Sequence, residues 1–222
     1  MTDDRMLTFI HSFDREKPDY LTQLEQYSLK TNVPIIRPGM QSLLRLLITW
    51  AKPARILEVG TAIGFSALFM QEYAPKDCRI TTIEKYEKRI PEAKENFAKY
   101  GKGQGITLLE GDAAEILPGL SPDGAYDLIF MDAAKGQYIH FLPDILRLLS
   151  PDGILVSDNI LQEGELLESK YAVTRRNRTI HNRMREYLYA LTHNEELETM
   201  ILPVADGVTL SVRRKMEVKN EQ

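Results

Sequence analysis

Only one cysteine, Cys78, occurs among the 222 residues, so an intramolecular disulfide is excluded and the chain suits a reducing compartment. Cys78 sits just before an apolar run and reads as a packing residue. Charge of one sign is also missing. With 28 Lys and Arg against 32 Asp and Glu, the net charge is −4 and exerts no global pull toward nucleic acid. The start, Met1-Thr2-Asp3-Asp4-Arg5, lacks the basic opening and apolar stretch of a secretory signal. Apolar runs such as 43–50 are far too short to span a bilayer, so a soluble, cytoplasmic protein with no membrane partner is expected. No P-loop and no G-x-S-x-G elbow is present, which removes the usual NTPase and hydrolase signatures. The four histidines (His11, His140, His181, His193) lack metal-ligand spacing and read as surface or packing residues. Trp50 and the tyrosines read as core or helix-face packing rather than a base-stacking platform. Repeats, low-complexity tracts and long linkers are absent.

What is present is an alternating pattern. Tyr20, Leu21, Leu24, Tyr27 and Ser28 recur at helical spacing, and Pro34 and Pro38 punctuate before a second helix at 39–50. From residue 54 short apolar strands alternate with helices: strands at 55–59, 79–84, 106–110, 126–132 and 153–158, with helices at 66–73, 86–100, 113–117 and 138–149 between them. Near-continuous apolar strands separated by helices predict a mostly parallel sheet covered on both faces, an α/β architecture. Strands at 199–204 and 208–213 flank Asp206-Gly207, a hairpin signal that adds an antiparallel pair. The chain length suits one domain: N-terminal helices at 1–53, a core at 54–215, and a polar tail at 216–222.

The loop after the first strand, Glu58-Val59-Gly60-Thr61-Ala62-Ile63-Gly64-Phe65-Ser66, opens a helix and lets the backbone approach a ligand. Its spacing is G-x-x-x-G, not the G-x-G-x-x-G of a dinucleotide site. Glu58 is a poor neighbour for a pyrophosphate but suits a ligand carrying an ammonium and a sulfonium. Glu84, ending the second strand, can accept hydrogen bonds from ribose hydroxyls, and Gly111, Asp112 and Ala113, after the third, could border an adenine ring. Each feature alone is common. Their order along consecutive strands favours an S-adenosylmethionine site. Phe65 and Tyr138 are candidate pocket walls.

Two further strand ends carry reactive groups: Met131-Asp132-Ala133-Ala134-Lys135 and Ser157-Asp158-Asn159. Adjacent strand ends would bring two carboxylates, an amide and an ammonium into one crevice. Asp132, Asp158 and Asn159 offer hard oxygen donors suited to Mg²⁺, and Lys135 can take a proton from a metal-bound hydroxyl. The bland alternative is that strand-end aspartates merely cap the following helices.

Taken together these pieces resemble the metal-dependent O-methyltransferases of the catechol and caffeoyl-CoA type. The resemblance rests on 57–66, Ile83-Glu84, Gly111-Asp112-Ala113, Asp132-Ala133-Ala134-Lys135, Asp158-Asn159 and Asp206-Gly207, and covers roughly 34–213. It implies a Rossmann-like methyltransferase fold with a seven-stranded sheet. It also implies metal ligation by Asp132, Asp158 and Asn159, with Lys135 and Asp132 as catalytic groups. Glu58, Gly60, Ser66, Glu84, Gly111, Asp112, Ala113 and Asp132 would lie around S-adenosylmethionine, and a homodimer is implied.

One segment bears on the acceptor. From Lys170 to Arg185 there are six lysines and arginines and no acid. If helical, Arg175, Arg178 and Arg185 share a face, with Arg176 and Arg183 nearby, and could hold phosphates. Otherwise they are solvated and paired to Glu186, Glu195 or Glu196. Val33-Pro34-Ile35-Ile36, Ala133-Ala134-Lys135-Gly136-Gln137-Tyr138, Asp158-Asn159-Ile160-Leu161 and the arginine run are similar to the bacterial enzymes that methylate 5-hydroxyuridine at the tRNA wobble position. That likeness implies a tRNA anticodon loop as partner, and in 5-hydroxyuridine the C4 carbonyl and 5-hydroxyl oxygens can chelate Mg²⁺ as a catechol does. A small catechol-like acceptor is the nearest rival, since it needs the same catalytic residues. A dinucleotide-dependent oxidoreductase conflicts with the glycine spacing. A non-catalytic RNA-binding module would have no use for Asp132, Lys135, Asp158 and Asn159.

Overall fold

The computed structural model describes residues 4–103 and 105–215 of the chain, without the Asp4 side chain; the tail expected at 216–222 lies outside the described residues. Three helices lead: α1 (Asp4–His11), α2 (Asp19–Thr31) and α3 (Pro38–Ala51). Pro38 fits the first turn of α3 because its missing N–H would lack a helical partner there anyway. Lys52 closes the helix in a left-handed conformation, its N–H reaching Ile48 O.

The α/β core follows as β1 (Arg55–Val59), α4 (Phe65–Tyr73), β2 (Arg79–Glu84), α5 (Ile90–Tyr100), β3 (Ile106–Glu110), α6 (Ala113–Ile116), β4 (Tyr126–Met131), α7 (Tyr138–Leu148), β5 (Leu149–Ser157), α8 (Arg178–Thr192), β6 (Leu197–Leu202) and β7 (Val208–Arg213). They form one seven-stranded sheet ordered β3-β2-β1-β4-β5-β7-β6. The first five strands in that order run parallel, and β7 inserts antiparallel between β5 and β6.

Successive residues of a strand face opposite sides, and both sides here are covered. Ile56, Leu128, Phe130, Ile154 and Val156 join Leu21, Leu24, Met40, Leu44 and Phe69 in one core, so α2 and α3 share it with α4. Leu57, Val59, Ile129, Met131 and Leu155 form the other, under Phe141, Ile145, Met184 and Tyr187 of α7 and α8. Chain order reverses between β1 and β4, so their carboxyl ends diverge into a crevice, the place where open parallel sheets bind ligands.

Several boundaries differ from the sequence reading. β5 starts at Leu149 rather than 153, because Pro151 and Asp152 form an irregular segment, with a register break against β4, instead of a turn. The fifth helix begins at Ile90, after residues 86–89 turn. Residues 203–207 make the hairpin connection, longer than the sequence suggested, with Ala205 and Gly207 both at positive φ. Trp50 is 72% exposed rather than packed, as α3 presents it outward. Cys78 is buried, as expected. Among the described residues no helix is long and apolar enough to cross a membrane.

Candidate active site

At the crevice lies a cavity of about 650 Å³. Its walls include Gly60, Ser66, Glu84, Gly111, Asp112 and Ala113 on one side and Asp132, Lys135 and Asn159 on the other. Most of the residues expected from sequence thus meet in one place.

The first side is held by carboxylates that grip backbone. Glu84 Oε2 accepts from Thr61 N at 3.2 Å and Ala62 N at 2.7 Å, and its Oε1 accepts from Tyr86 N at 2.8 Å. The glycine loop is therefore tied to the end of β2. Asp112 caps α6 by accepting from Ala114 N at 3.0 Å, and pairs with Lys85 at 3.2 Å. The cap and the Lys85 partner together hold its carboxyl below the ordinary range, outweighing its partial burial. Gly60 is required by close approach: at φ +104° a Cβ there would sit 2.0 Å from the Asp132 carbonyl oxygen.

Glu58 behaves differently from the expectation. It is fully buried and does not line the cavity. Thr82 Oγ1 donates to one of its carboxylate oxygens, while Oε1 has no partner among the described residues. Burial above all pushes its carboxyl up to about 7, with hydrogen bonds opposing and the charges of Asp132 and Glu84 adding. It lies beneath the glycine loop, on the strand whose next residues are Val59 and Gly60.

The other side carries the ionisable cluster. β4 ends at Met131 and the chain turns through Lys135–Gln137 into α7. Lys135 Nζ donates to Asp132 Oδ1 at 3.0 Å, to Tyr138 Oη at 3.1 Å and to the Asp158 carbonyl at 3.3 Å. Tyr138, fully buried, donates in turn to Met131 O at 3.0 Å and accepts from Ala133 N at 3.2 Å. Burial raises its phenol well above the ordinary range. Tyr138 therefore supports the lysine from below rather than forming the pocket wall, whereas Phe65 does line the cavity. Asp158 is almost fully buried and, unlike Asp132 and Asn159, lies behind the cavity wall rather than lining it; its carboxyl is pushed up to about 7 by burial and then by the nearby charge of Asp132. Asn159, at φ 56°, turns its amide so that Nδ2 meets Asp132 Oδ1 at 3.1 Å.

Two crowded carboxylates, one of them pushed toward its protonated form by burial and by the other's charge, form a place where a divalent cation would relieve repulsion. Rotating the Asn159 amide would add its oxygen as a third hard donor, so the residues present fit Mg²⁺. Among the described residues no three His, Cys, Asp or Glu side chains converge on a metal site; the candidate set is two carboxylates and an amide.

Beyond Asn159 a smaller annex of about 340 Å³ shares Lys135 and Asn159 and is lined by Glu163, Glu165, Asn177, Ile180 and Asp206. Sequence reasoning missed Glu163 and Arg37, which face each other at 3.7 Å beside the opening, both largely exposed. Their approach depends on two distant loops, and no local pattern announces it. The arginine run is not one helix. Arg175 and Arg176 precede α8, which begins at Arg178, and these three are exposed, as is Arg185. None of the five arginines is ion-paired among the described residues, and Glu196 pairs with Arg213 instead. Arg178 donates to Val173 O at 3.4 Å within its own segment, and Arg183, half-buried, donates across to Gly136 O at 3.1 Å.

Comparison with known proteins gives the family and agrees with the fold. The O-methyltransferase family profile matches residues 11–215. A catechol O-methyltransferase of Niastella koreensis is 33% identical over 135 residues, 60% of this chain and 61% of that relative's length, so the match spans less than two thirds of it. Caffeoyl-CoA O-methyltransferase 2 of Zea mays is 28% identical, with 90% of this chain and 78% of that protein covered. The S-adenosylhomocysteine-bound crystal structure of the Podospora anserina methyltransferase PaMTH1 superposes with a TM-score of 0.84 at 30% identity, covering 96% of this chain and 95% of that one. The chain belongs to the family of S-adenosylmethionine-dependent O-methyltransferases that includes the catechol and caffeoyl-CoA enzymes.

Proposed function

We propose that this protein transfers a methyl group from S-adenosylmethionine to the 5-hydroxyl of 5-hydroxyuridine at the wobble position of tRNA, giving 5-methoxyuridine, in a Mg²⁺-dependent reaction. The observation that carries the chemistry is Lys135 Nζ, 3.0 Å from Asp132 Oδ1 in the same cavity as the glycine loop. When bound, S-adenosylmethionine supplies a sulfonium methyl and Mg²⁺ acidifies a chelated hydroxyl. The chain does the rest. Asp132, Asp158 and Asn159 would hold the cation. Gly60, Ser66, Glu84, Gly111, Asp112 and Ala113 would hold the donor, with Phe65, Ile83 and Phe141 excluding water from the transfer path. Lys135, placed at Nζ by Asp132, Tyr138 and the Asp158 carbonyl, would first release one of its three protons to solvent. As the neutral amine it would then receive the acceptor's proton as the oxygen attacks the methyl in line and S-adenosylhomocysteine leaves. Fixing both reactants in one cavity can lower the barrier by up to about 7–11 kcal/mol.

The tRNA acceptor is supported by Arg175, Arg176 and Arg178, which flank Asn177 of the annex in the chain, and by Arg185 further along α8, all exposed and without an ion pair among the described residues, since unneutralised arginines suit phosphates. Unstacked anticodon bases can enter such a pocket more easily than paired ones. A small catechol-like acceptor is the second reading, favoured by the named activity of the Niastella koreensis relative. A homodimer belongs to the same proposal, with the exposed Met6, Phe9 and Ile10 of α1 available to a second copy.

The deciding experiment is transfer of labelled methyl to bulk tRNA from cells lacking the protein, with and without EDTA, with Lys135→Ala as control. Label in 5-methoxyuridine that needs Mg²⁺ and Lys135 is the expected result. Label only in a catechol would move the acceptor to small molecules, and EDTA-insensitive transfer would remove the metal.

A further inference from the structure

Five arginines lie between 175 and 185; Arg178 reaches back to the Val173 carbonyl within its own segment at 3.4 Å, and Arg183 reaches across to the turn that carries Lys135. Arg175, Arg176, Arg178 and Arg185 face solvent. Arg183 is half-buried on the side of α8 that packs against the sheet, among Ile180, Met184 and Tyr187. Its guanidinium donates to the Gly136 carbonyl at 3.1 Å. Gly136 is the middle residue of the tight turn that begins with Lys135, a turn closed by Gln137 N donating to Ala134 O at 2.8 Å. Helix α8 lies directly over this turn: a Cβ on Gly136 would meet Ile180 at 3.5 Å and Arg183 at 3.8 Å. One turn further along, the Tyr187 ring packs edge-on against Tyr138, with centroids 5.4 Å apart, and Tyr138 Oη contacts Lys135 Nζ. Helix α8 thus bears on the lysine from both ends of the turn, through backbone at Gly136 and through a side chain at Tyr138.

We propose that Arg183 is a positioning residue, acting through Gly136 to hold the Lys135 turn so that Nζ meets Asp132 and the acceptor hydroxyl together. A charged fork bonded to a carbonyl restrains both the place and the direction of that peptide unit. Lys135 follows from the same turn, so releasing Gly136 lets its side chain wander from a geometry defined by three acceptors. The inference rests on the methyl-transfer reading but not on the identity of the acceptor, because catechol and 5-hydroxyuridine would use the same lysine.

The test compares wild type with Arg183→Ala, Arg183→Lys and Arg79→Ala. It measures steady-state kinetics on tRNA and on a catechol, S-adenosylhomocysteine binding, and hydrogen–deuterium exchange of amides 133–138. For Arg183→Ala the kcat should fall about 10- to 100-fold on whichever acceptor is used, the scale of an ångström-sized misplacement. The KM for tRNA should stay within about twofold, and S-adenosylhomocysteine binding should be unchanged, as for a group acting only on the chemical step. Exchange at 136–138 should accelerate, Arg183→Lys should recover part of both effects, and Arg79→Ala, at an exposed arginine that starts β2 at the sheet end away from the cavity, should leave exchange and kcat alone. A raised KM for tRNA with normal kcat and normal exchange would make Arg183 an RNA contact and overturn the proposal. Absence of methyl transfer to either acceptor by the wild type would remove the methyl-transfer reading, while exchange in Arg183→Ala would still decide whether the arginine holds the turn. If the alanine variant does not fold, Arg183→Lys and Arg183→Gln carry the same comparison.

Discussion

The two sides of the cavity are built by different means. The side with Gly60, Glu84 and Asp112 is made of strand ends and the first turns of helices, fastened by carboxylates that accept from backbone N–H groups. The side beyond Asn159 is a loop in which Asn159, Gln162 and Glu163 all take left-handed backbone conformations. Such residues are strained by roughly 1–3 kcal/mol each and persist only where neighbours impose them. Here Asp206 imposes one, both its carboxylate oxygens accepting from Glu163 N at 2.8 and 2.9 Å. The first side thus takes its shape from regular structure and is suited to one invariant ligand. The second is shaped by long-range clamps and surface side chains, so it can be refitted to another acceptor without disturbing the first.

The sharpest way to test this division is to remove Lys135, which stands on the seam. Lys135→Ala should lower kcat by about 10²–10⁴-fold, the range for a positioned proton acceptor, while S-adenosylhomocysteine binds with unchanged affinity in calorimetry. Equal loss of binding would show that the sides are not separable. Gly60→Ala comes next: its methyl has no room against the Asp132 carbonyl, so chemical denaturation should show a loss of about 3 kcal/mol. Because Gly60 joins β1 to the end of β4, both donor binding and turnover should suffer.

Glu58→Gln sharpens the account of the first side through pH. The folded protein holds the Glu58 proton up to about pH 7, against an ordinary value of 4.5, so it binds a proton that the unfolded chain has released between those limits. Its contribution to stability therefore falls as pH rises from about 4.5 to 7, and the loss remains above that. The glutamine variant should be more stable than wild type at pH 8, by up to about 3 kcal/mol, with the difference shrinking as the pH approaches about 4.5. Thermal unfolding at both pH values measures it; a difference independent of pH would remove the explanation. The smallest expected effect is on the second side. Arg175, Arg176 and Arg178 changed together to alanine should weaken tRNA affinity and make the plot of log affinity against log salt shallower, by about 0.7 for each phosphate that the variant no longer neutralises. Transfer to a catechol should not change.

Legibility in the sequence follows the same division. β1 lies where its apolar run places it because burial on both faces leaves a continuous signal, and β2 and the half-exposed edge strand β3 are found at 79–84 and 106–110 as expected. Gly60, Ser66, Glu84, Asp112, Asp132, Lys135 and Asn159 gather because each follows a parallel strand, and the topology aligns those ends. Glu58 departs from its expected place because sequence position shows which strand a residue ends but not which way its side chain turns. The register break near Pro151 escapes notice because Asp152 takes a left-handed conformation that no periodicity marks, and the start of α8 because nothing local separates Asn177, itself right-handed helical, from the helix that follows. Arg37 facing Glu163, Asp206 clamping the loop and Arg183 reaching Gly136 join residues 43–126 positions apart, a relation absent from any local window.

The hairpin at 203–207 gives this asymmetry an order in time. Ile160 N donates to Gly207 O, Leu161 N to Asp206 O, and a Cβ on Gly207 would lie 2.3 Å from Leu161. The loop beyond β5 is therefore moulded by residues that leave the ribosome more than forty positions later. During synthesis the strands from β1 to β4 can assemble a nascent donor pocket first, while the acceptor side waits for β7 to slot between β5 and β6. The acceptor side of the cavity can be complete only after residues 206 and 207 have been made.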